Sequence, residues 1–262
     1  LLMDVGNFGF VVAGLVVGFI VGMTGVGGGS LMTPILLWFG INPATAVGTD
    51  LLYAAITKSG GVLVHQKNRN IDWRITGWLT LGSVPAVALT LWFLKNLDTD
   101  PQALNAVIKQ GLGFVLLLTA LAIVFKKKLM AFAQRHGSDY QPSPGGLNGL
   151  TVVTGVILGT MVALTSIGAG ALGTVALFIL YPFLATKRLV GTEIAHAVPL
   201  TLVAGLGHAS MGNMDWHLLG FLLMGSLPGI WIGSHMTGRI SDEILRPCLA
   251  VMLFSIGYKL AF

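Results

Sequence analysis

The chain has 262 residues, of which 54% are hydrophobic and only 10% are charged, whereas soluble domains carry about 25% charged residues. This composition excludes an ordinary soluble protein, and the continuous apolar runs, which lack period-two alternation, exclude an outer-membrane barrel. The net charge of +5 does not indicate a nucleic-acid partner, because the basic residues lie at the ends of apolar runs and act as topology signals. The single cysteine, Cys248, excludes an intramolecular disulfide and a cysteine-based metal cluster.

Apolar runs near the length of a membrane span follow one another along the chain. About 20 residues cross ~30 Å of hydrocarbon, so these runs predict an all-α polytopic membrane protein. We expect full spans at roughly 45–65, 75–95, 105–126, 190–208, 218–236 and 247–261.

The two remaining apolar segments, 8–40 and 149–183, are expected to be helical hairpins that start and finish on the same side of the membrane. Each is either two full spans or two half-spans. At a rise of about 1.5 Å per residue, the second arm of the first hairpin, Leu31 to Phe39, is far too short to cross. This length favours a turn at mid-membrane.

The sequence contains an internal duplication. At one constant offset, "VGTD" (47–50) aligns with "VGTE" (190–193), and "GSVP" (82–85) aligns with "GSLP" (225–228). At a slightly smaller offset, "TGVGGGSL", which begins at Thr24, aligns with "TSIGAGAL", which begins at Thr165. We therefore predict two repeats, residues 1–128 and 149–262, joined by a linker at 129–148 that is rich in Pro, Gly and Ser.

Basic residues lie at opposite ends of the two repeats. The loop "QKNRNIDWR" (66–74) contains three basic residues, whereas its equivalent "ASMGNMDWH" (209–217) contains none. Conversely, "ATKR" (185–188) is basic and its counterpart "INPAT" (41–45) is uncharged. Because Lys and Arg mark cytoplasmic loops, we expect inverted repeats in the cell inner membrane, with the linker cytoplasmic and both termini outside.

The glycine-rich turn of each hairpin predicts an anion-binding site. A helix that begins inside a membrane leaves N–H groups unpaired, so such a break must line a cavity. These N–H groups and the helix dipole suit an anion, and glycine allows a ligand to approach the main chain. The candidate substrate-binding residues are Thr24, Gly27, Gly28, Gly29, Ser30, Thr49, Thr165, Ser166, Gly168, Gly170 and Thr192.

The alternative interpretation of such glycines is close packing between helices, as in GxxxG motifs. We assign the pair Gly14 and Gly18, and the equivalent pair Gly155 and Gly159, to packing rather than to the site.

Ionisable residues inside the spans require an explanation, because one at the bilayer centre costs ~2.5–3.5 kcal/mol. Asp50 and Glu193 occupy equivalent positions after a Gly-Thr pair, where they cap the start of a helix, carry protons, or do both. Lys58 either snorkels to the surface or faces the cavity and attracts an anion. His65 and His208, at the far ends of these spans, favour a structural role over a proton relay.

His196 follows Glu193 by one helical turn on the same face. A second carboxylate–histidine pair is missing, so the sequence predicts no metal and no cofactor. The candidates for proton coupling are Asp50, Glu193, His196, Lys58, His65 and His208.

In combination, these motifs resemble the TauE/SafE sulfite exporter family of anion permeases. The resemblance rests on "GVGGGSLMTPIL", "GTD", "KSGGVLVHQKNRNIDW" and "GTEIAHAVPLTLVAGLGH", and covers nearly the whole chain except the linker. It implies an inner-membrane carrier for sulfite, a small organosulfonate or another sulfur anion. The second repeat departs from the pattern with "SIGAGAL", which predicts fewer or weaker anion contacts there.

We therefore expect a secondary transporter, and an exporter in particular, that moves a small sulfur oxyanion by alternating access, with proton coupling as a hypothesis. A passive anion channel is the main alternative. An intramembrane enzyme is disfavoured because HExxH and GxSxG are absent. Membrane lipids are expected partners, and a homodimer is left open.

Overall fold

The computed structural model describes residues 5–24, 29–97, 101–136, 144–235 and 242–262, and its regular structure in these ranges is entirely α-helical. The helices follow one another through short turns. They are α1 (Val5–Thr24), α2 (Gly29–Trp38), α3 (Pro43–Lys67), α4 (Trp73–Leu97), α5 (Pro101–His136), α6 (Pro144–Thr165), α7 (Ala171–Leu180), α8 (Thr186–Ser210), α9 (Trp216–His235) and α10 (Asp242–Ala261).

Among the described residues, five helices are long and apolar enough to cross a membrane, which confirms an all-α polytopic membrane fold. They are α4, α5, α6, α8 and α9. Helix α3 has 25 residues and is long enough, but it is not among the five. It carries Asp50, Lys58, His65, Gln66 and Lys67, and these polar side chains lower its apolar character.

Each predicted hairpin consists of one long helix followed by a short one. Helices α2 and α7 have 10 residues each, which at about 1.5 Å per residue is half of the ~30 Å hydrocarbon thickness. The second break, residues 166–170, is described in full, whereas residues 25–28 of the first break lie outside the described residues. The position of either break in the membrane stays a prediction.

Helix α5 is longer than the sequence predicts. It runs from Pro101 to His136, so it continues past position 128 into the segment assigned to the linker. The cause is local, because residues 126–136 include Lys, Leu, Met, Ala, Gln and Arg, which favour helix. This stretch contains neither Gly nor Pro. Helix α10 likewise begins at Asp242, earlier than the predicted 247.

The two repeats pack together through reciprocal contacts, in which a helix of one repeat packs on a different helix of the other. Helix α1 packs on α9, α6 packs on α4, and α3 and α8 pack on each other at the centre. Each such contact has a counterpart at the equivalent positions of the other repeat, and reciprocal contacts of this kind are what a two-fold relation between two copies produces. The contacts do not orient the copies relative to the membrane, so the inverted topology stays a prediction.

The glycine pairs assigned to packing lie at the reciprocal contacts α1–α9 and α4–α6. A Cβ on Gly14 or Gly18 would overlap the carbonyl oxygen of Leu222 or Ser226. A Cβ on Gly155 or Gly159 would overlap the carbonyl oxygens at the equivalent positions 79 and 83. The packing interpretation of both motifs is therefore confirmed, since the backbones approach too closely for any side chain.

The central helices carry the most deeply buried polar residues. Residues 46–55 of α3 and 191–197 of α8 are all buried, and the second stretch is equivalent to part of the first under the duplication. The ionisable side chains of these stretches therefore face protein rather than lipid, which is where membrane proteins place functional polar groups.

Candidate functional site

The break between α6 and α7 is built from residues that tolerate unusual backbone angles. Gly168 and Gly170 have φ values of 128° and 152°, a region that L side chains rarely adopt. Ser166 is left-handed as well, with φ of 59°. The Thr165 hydroxyl donates to the Met161 carbonyl at 2.7 Å and accepts from the Ile167 N–H at 3.1 Å, which stabilises the end of α6.

The start of α7 retains free hydrogen-bond donors. The N-cap residue, Gly170, has no side chain that could cap the helix. The N–H groups of Gly173 and Thr174 bond to the carbonyls of Gly168 and Gly170, but those of Ala171 and Leu172 find no acceptor among the described residues. Free N–H groups at a helix start are suited to an anion.

Both equivalent carboxylates reach the N-terminal turns of the short helices. Asp50 Oδ2 accepts hydrogen bonds from the hydroxyl of Thr33 at 2.5 Å and from its backbone N–H at 3.2 Å, and Thr33 lies in the second turn of α2. Glu193 packs against Gly173 in the first turn of α7, where a Cβ would lie 3.2 Å from Glu193 Oε1. Each carboxylate therefore lies near the helix end that attracts negative charge.

The interpretation of Asp50 and Glu193 as caps of their own helices is wrong. Helix α3 begins at Pro43, and its N-cap is Asn42, whose side chain accepts from the Ala44 N–H at 3.0 Å. Helix α8 begins at Thr186, so Glu193 also lies well inside its helix. The capping residue of α3 comes earlier than the Gly-Thr pair because the chain enters the helix at the Asn-Pro dipeptide.

Lys58 connects the first repeat to the break of the second repeat. Its ammonium donates to the carbonyl of Ala169 at 2.5 Å, and the residue is only 5% exposed. The snorkelling alternative is therefore not what the structure shows. Lys58 lies close enough to Asp50 and Glu193 to interact electrostatically with both.

The equivalent of Lys58 in the second repeat carries no charge. It is Thr201, whose hydroxyl donates to the Ala197 carbonyl of its own helix at 2.8 Å. The centre of the molecule is therefore chemically asymmetric, with a buried cation at this position contributed by the first repeat alone.

Several buried polar atoms at this centre have no hydrogen-bond partner among the described residues. They include Asp50 Oδ1, Glu193 Oε1 and Ser166 Oγ, and Ser166 lies close to the Asp50 carboxyl. Buried polar groups are almost always paired, so each unpaired one requires an explanation. We call Asp50, Lys58, Ser166, Glu193 and the start of α7 the polar centre.

A second set of equivalent side chains surrounds the polar centre. His196 Nε2 lies 2.9 Å from the hydroxyl oxygen of Ser83. The equivalent positions under the duplication are Tyr53 and Ser226, which are also neighbours, although neither hydroxyl makes a hydrogen bond among the described residues. Each pair joins a central helix to a helix of the other repeat.

Sequence reasoning missed Thr33, Tyr53, Ser83 and Ser226. A signal for the two serines was present, because "GSVP" and "GSLP" already align under the duplication. Their contact with positions 53 and 196 could not be found in this way, since it depends on packing between different helices.

Other predicted site residues connect helices to turns outside the polar centre. The hydroxyl of Thr49 accepts from the N–H of Asp215 at 3.2 Å, and that of Thr192 accepts from the N–H of Asp72 at 2.9 Å.

His208 is fully buried, and its Nε2 lies 2.8 Å from the carbonyl oxygen of Ala163. His65 lies against Gly191, where a Cβ would be 2.8 Å from its Nδ1.

The predicted residues of the first break are only partly described. Thr24 is the last residue of α1, Gly29 is the first residue of α2, and Ser30 lies in the first turn of α2. Gly27 and Gly28 lie outside the described residues.

The described part of the chain contains no group of three or more His, Cys, Asp or Glu side chains that could hold a metal ion. The polar centre instead combines one cation, two carboxyl groups, a free hydroxyl and free backbone amides. Such a set can bind a small anion and can exchange a proton with it.

A multi-pass helical fold with a buried polar centre and broken helices is typical of a membrane transporter. The family model for the sulfite exporter TauE/SafE matches residues 10–260, and the chain therefore belongs to this family.

The chain is also similar to proteins that are named as probable membrane transporters. The probable membrane transporter protein YjnA of Bacillus subtilis is 40% identical over 251 residues, which cover 95% of this chain and 98% of the relative. The probable membrane transporter protein MJ0441 of Methanocaldococcus jannaschii is 25% identical over 268 residues, with 94% and 92% covered. No solved structure matches the chain.

Proposed function

We propose that this protein is a secondary transporter that exports sulfite, a small organosulfonate or a related sulfur oxyanion across the cytoplasmic membrane by alternating access. The observation that carries the proposal is the contact of Lys58 with the break before α7. This contact places a buried cation beside free helix amides and two carboxyl groups.

The chemistry of the polar centre suits an oxyanion. The oxygens of sulfite accept hydrogen bonds only, so they require donors, and donors are offered by the Lys58 ammonium, the Ser166 hydroxyl and the N–H groups at the start of α7. Hydrogen bonds of this charge-assisted kind are roughly twice as strong as neutral ones. Glycine at positions 168 and 170 allows an anion to approach the main chain.

The two carboxyl groups provide a mechanism that couples anion binding to protonation. An ionised carboxylate only accepts hydrogen bonds and repels an anion, whereas a protonated carboxyl can donate one. Asp50 already occupies donors of α2. Binding of the anion therefore requires a proton on Asp50 or Glu193, or displacement of the carboxylate. A proton taken up in this way moves with the anion, so the anion gradient and not the proton gradient would drive export.

The reciprocal packing of the two repeats around one site supports alternating access. In transporters with inverted repeats, one site at the repeat interface is exposed in turn to the two sides. Here the polar centre takes Asp50 and Lys58 from one repeat and Ser166 and Glu193 from the other. A movement of one repeat relative to the other would therefore rearrange the site itself.

Reconstituted flux tests the proposal. Proteoliposomes would be assayed with sulfite, thiosulfate, sulfoacetate and sulfate side by side, and with labelled sulfite counterflow against a gradient. We expect saturable flux of at least one sulfur oxyanion and counterflow, because a carrier exchanges its substrate. Flux without counterflow would indicate a passive channel, and the absence of flux for all four anions would contradict the assigned substrate class.

The coupling mechanism has its own test. Asp50→Asn combined with Glu193→Gln is expected to abolish the pH dependence of flux, because neither amide can take up a proton. Asp215→Asn is the matched control: Asp215 accepts from the Leu218 N–H at 2.9 Å at the start of α9, and Asn caps helices equally well. Unchanged pH dependence in the double variant would exclude a coupling role for these carboxyl groups.

A further inference from the structure

A cavity lies away from the polar centre, where the end of α2, the start of α3, α5 and α10 meet. Its volume is about 680 Å³, which is within the range of small-molecule sites. Most of its wall is apolar, with contributions from Leu37, Ile41, Met252, Ile256 and Leu260.

The rim of this cavity is positively charged. Lys109 of α5 and Lys259 of α10 both line it, and no acidic residue does among the described ones. Neither ammonium has a carboxylate partner in the described ranges. The start of α3 also lines the cavity, and there the Ala44 N–H donates to the Asn42 side chain.

An exposed aromatic side chain borders the cavity. Trp38 lies on its edge and is 85% exposed, and exposed Trp side chains are enriched at the level of lipid headgroups. Lysine side chains extend their ammonium groups to the same level. The cavity therefore combines an apolar wall with two cations, and this combination matches an amphiphile with an anionic headgroup.

We propose that this cavity binds an anionic phospholipid, with an acyl chain against the walls of α2, α5 and α10 and the phosphate between Lys109 and Lys259. A basic pocket between membrane helices is a known way of binding anionic headgroups. A free anion would leave the apolar walls uncovered, and a zwitterionic lipid would not match the two lysines.

The test is lipid binding to the purified full chain in detergent. Phosphatidylglycerol and phosphatidylcholine with the same acyl chains, and inorganic phosphate alone, would be compared by native mass spectrometry and by the thermal midpoint of unfolding. We expect phosphatidylglycerol to bind more tightly and to raise the midpoint, and Lys109→Gln with Lys259→Gln to weaken its binding about 30-fold.

The matched control is Lys67→Gln with Lys95→Gln, which removes the same charge from exposed positions outside the cavity, and it should leave binding unchanged. Equal affinity for phosphatidylcholine would overturn the proposal. So would equal stabilisation by inorganic phosphate alone, or an equal loss of phosphatidylglycerol binding in the control pair.

Discussion

At the scale of single residues, the asymmetry between Lys58 and Thr201 distinguishes the two repeats most clearly. Two copies of one ancestral unit would offer two similar half-sites, yet only one copy contributes a buried cation here. A lone Lys between two carboxyl groups leaves the polar centre at a net charge of −1 when all three groups are ionised. In the proposed function, protonation of a carboxyl group would make the polar centre accept an anion more readily, and this would connect substrate binding to proton uptake.

Replacing Lys58 by Thr, the residue at the equivalent position, is expected to raise the KM for the transported anion. Loss of one charge-assisted hydrogen bond, worth ~1.5–3 kcal/mol, corresponds to a rise of about 10- to 150-fold. The measurement is concentration-dependent flux in proteoliposomes, with Lys67→Thr on the same helix as the control. An unchanged KM in Lys58→Thr would mean that Lys58 contributes to the fold alone.

Ser166 provides a second test, because its backbone and its side chain have opposite preferences. A non-glycine residue in the left-handed region costs roughly 1–2 kcal/mol, so Ser166→Gly is expected to stabilise the protein. Ser166→Gly also removes a buried hydroxyl that has no partner among the described residues. Loss of one neutral hydrogen bond to the anion, worth ~0.5–1.5 kcal/mol, would lower the affinity for the anion about two- to tenfold.

Thermal unfolding and flux would be measured on Ser166→Gly together with Ser166→Ala, which removes the hydroxyl and keeps the backbone strain. Both variants should bind the anion more weakly. If both retain wild-type affinity, the hydroxyl is not a ligand.

At the scale of helices, the repeats are held together by backbones in contact at small residues. Gly155 and Gly159 of α6 approach carbonyl oxygens of α4, as Gly14 and Gly18 of α1 approach those of α9. Helices in lipid associate through such close packing rather than through the hydrophobic effect. At these two equivalent contacts an added methyl group would therefore overlap backbone atoms of the neighbouring helix.

Gly155→Ala and Gly159→Ala are each expected to lower the free energy of unfolding by about 1–3 kcal/mol, because the added methyl group overpacks the contact. Gly149→Ala lies in the same helix with open space around it and should be neutral or slightly stabilising. Denaturation of the purified chain in detergent measures all three. Equal stability of Gly159→Ala and Gly149→Ala would contradict close α4–α6 packing.

At the scale of the whole molecule, the question is how the two copies lie relative to the membrane. Their contacts are reciprocal: Thr49 binds the turn at Asp215, and Thr192 binds the turn at Asp72. The turns 68–72 and 211–215 are thus equivalent in structure but differ in charge, since only the first carries basic residues in and around it. The positive-inside rule then predicts that they lie on opposite sides of the membrane.

Cysteine labelling measures this directly. Lys67→Cys and Ser210→Cys, at equivalent exposed positions, would be made separately in a Cys248→Ala background and treated in intact cells with a membrane-impermeant maleimide. We expect labelling of the Ser210→Cys variant alone, and labelling of the Lys67→Cys variant only after lysis. The same accessibility for both positions would contradict inverted repeats.

Much of the architecture could be predicted from the sequence, because it depends on order along the chain. Composition determined the membrane class, the duplication was visible as repeated motifs, and the short arm before Phe39 predicted the short α2 and, by its alignment, α7. The charged residues of the polar centre were among the predicted candidates, since each interrupts an apolar run. Helix ends were less accurate, as in α5, because good helix formers continue a helix past the apolar region.

The partners of these residues were decided only by the tertiary structure. Lys58 and Ala169 are 111 residues apart, and Ser83 and His196 are 113 apart. Neither pairing follows from the spacing along the chain, because the packing of α3 and α8 against the other helices brings these residues together. The capping interpretation of Asp50 failed for the same reason: its carboxyl group bonds to another helix. Residue type is a property of the sequence, but which unpaired groups face one another depends on how the two copies pack.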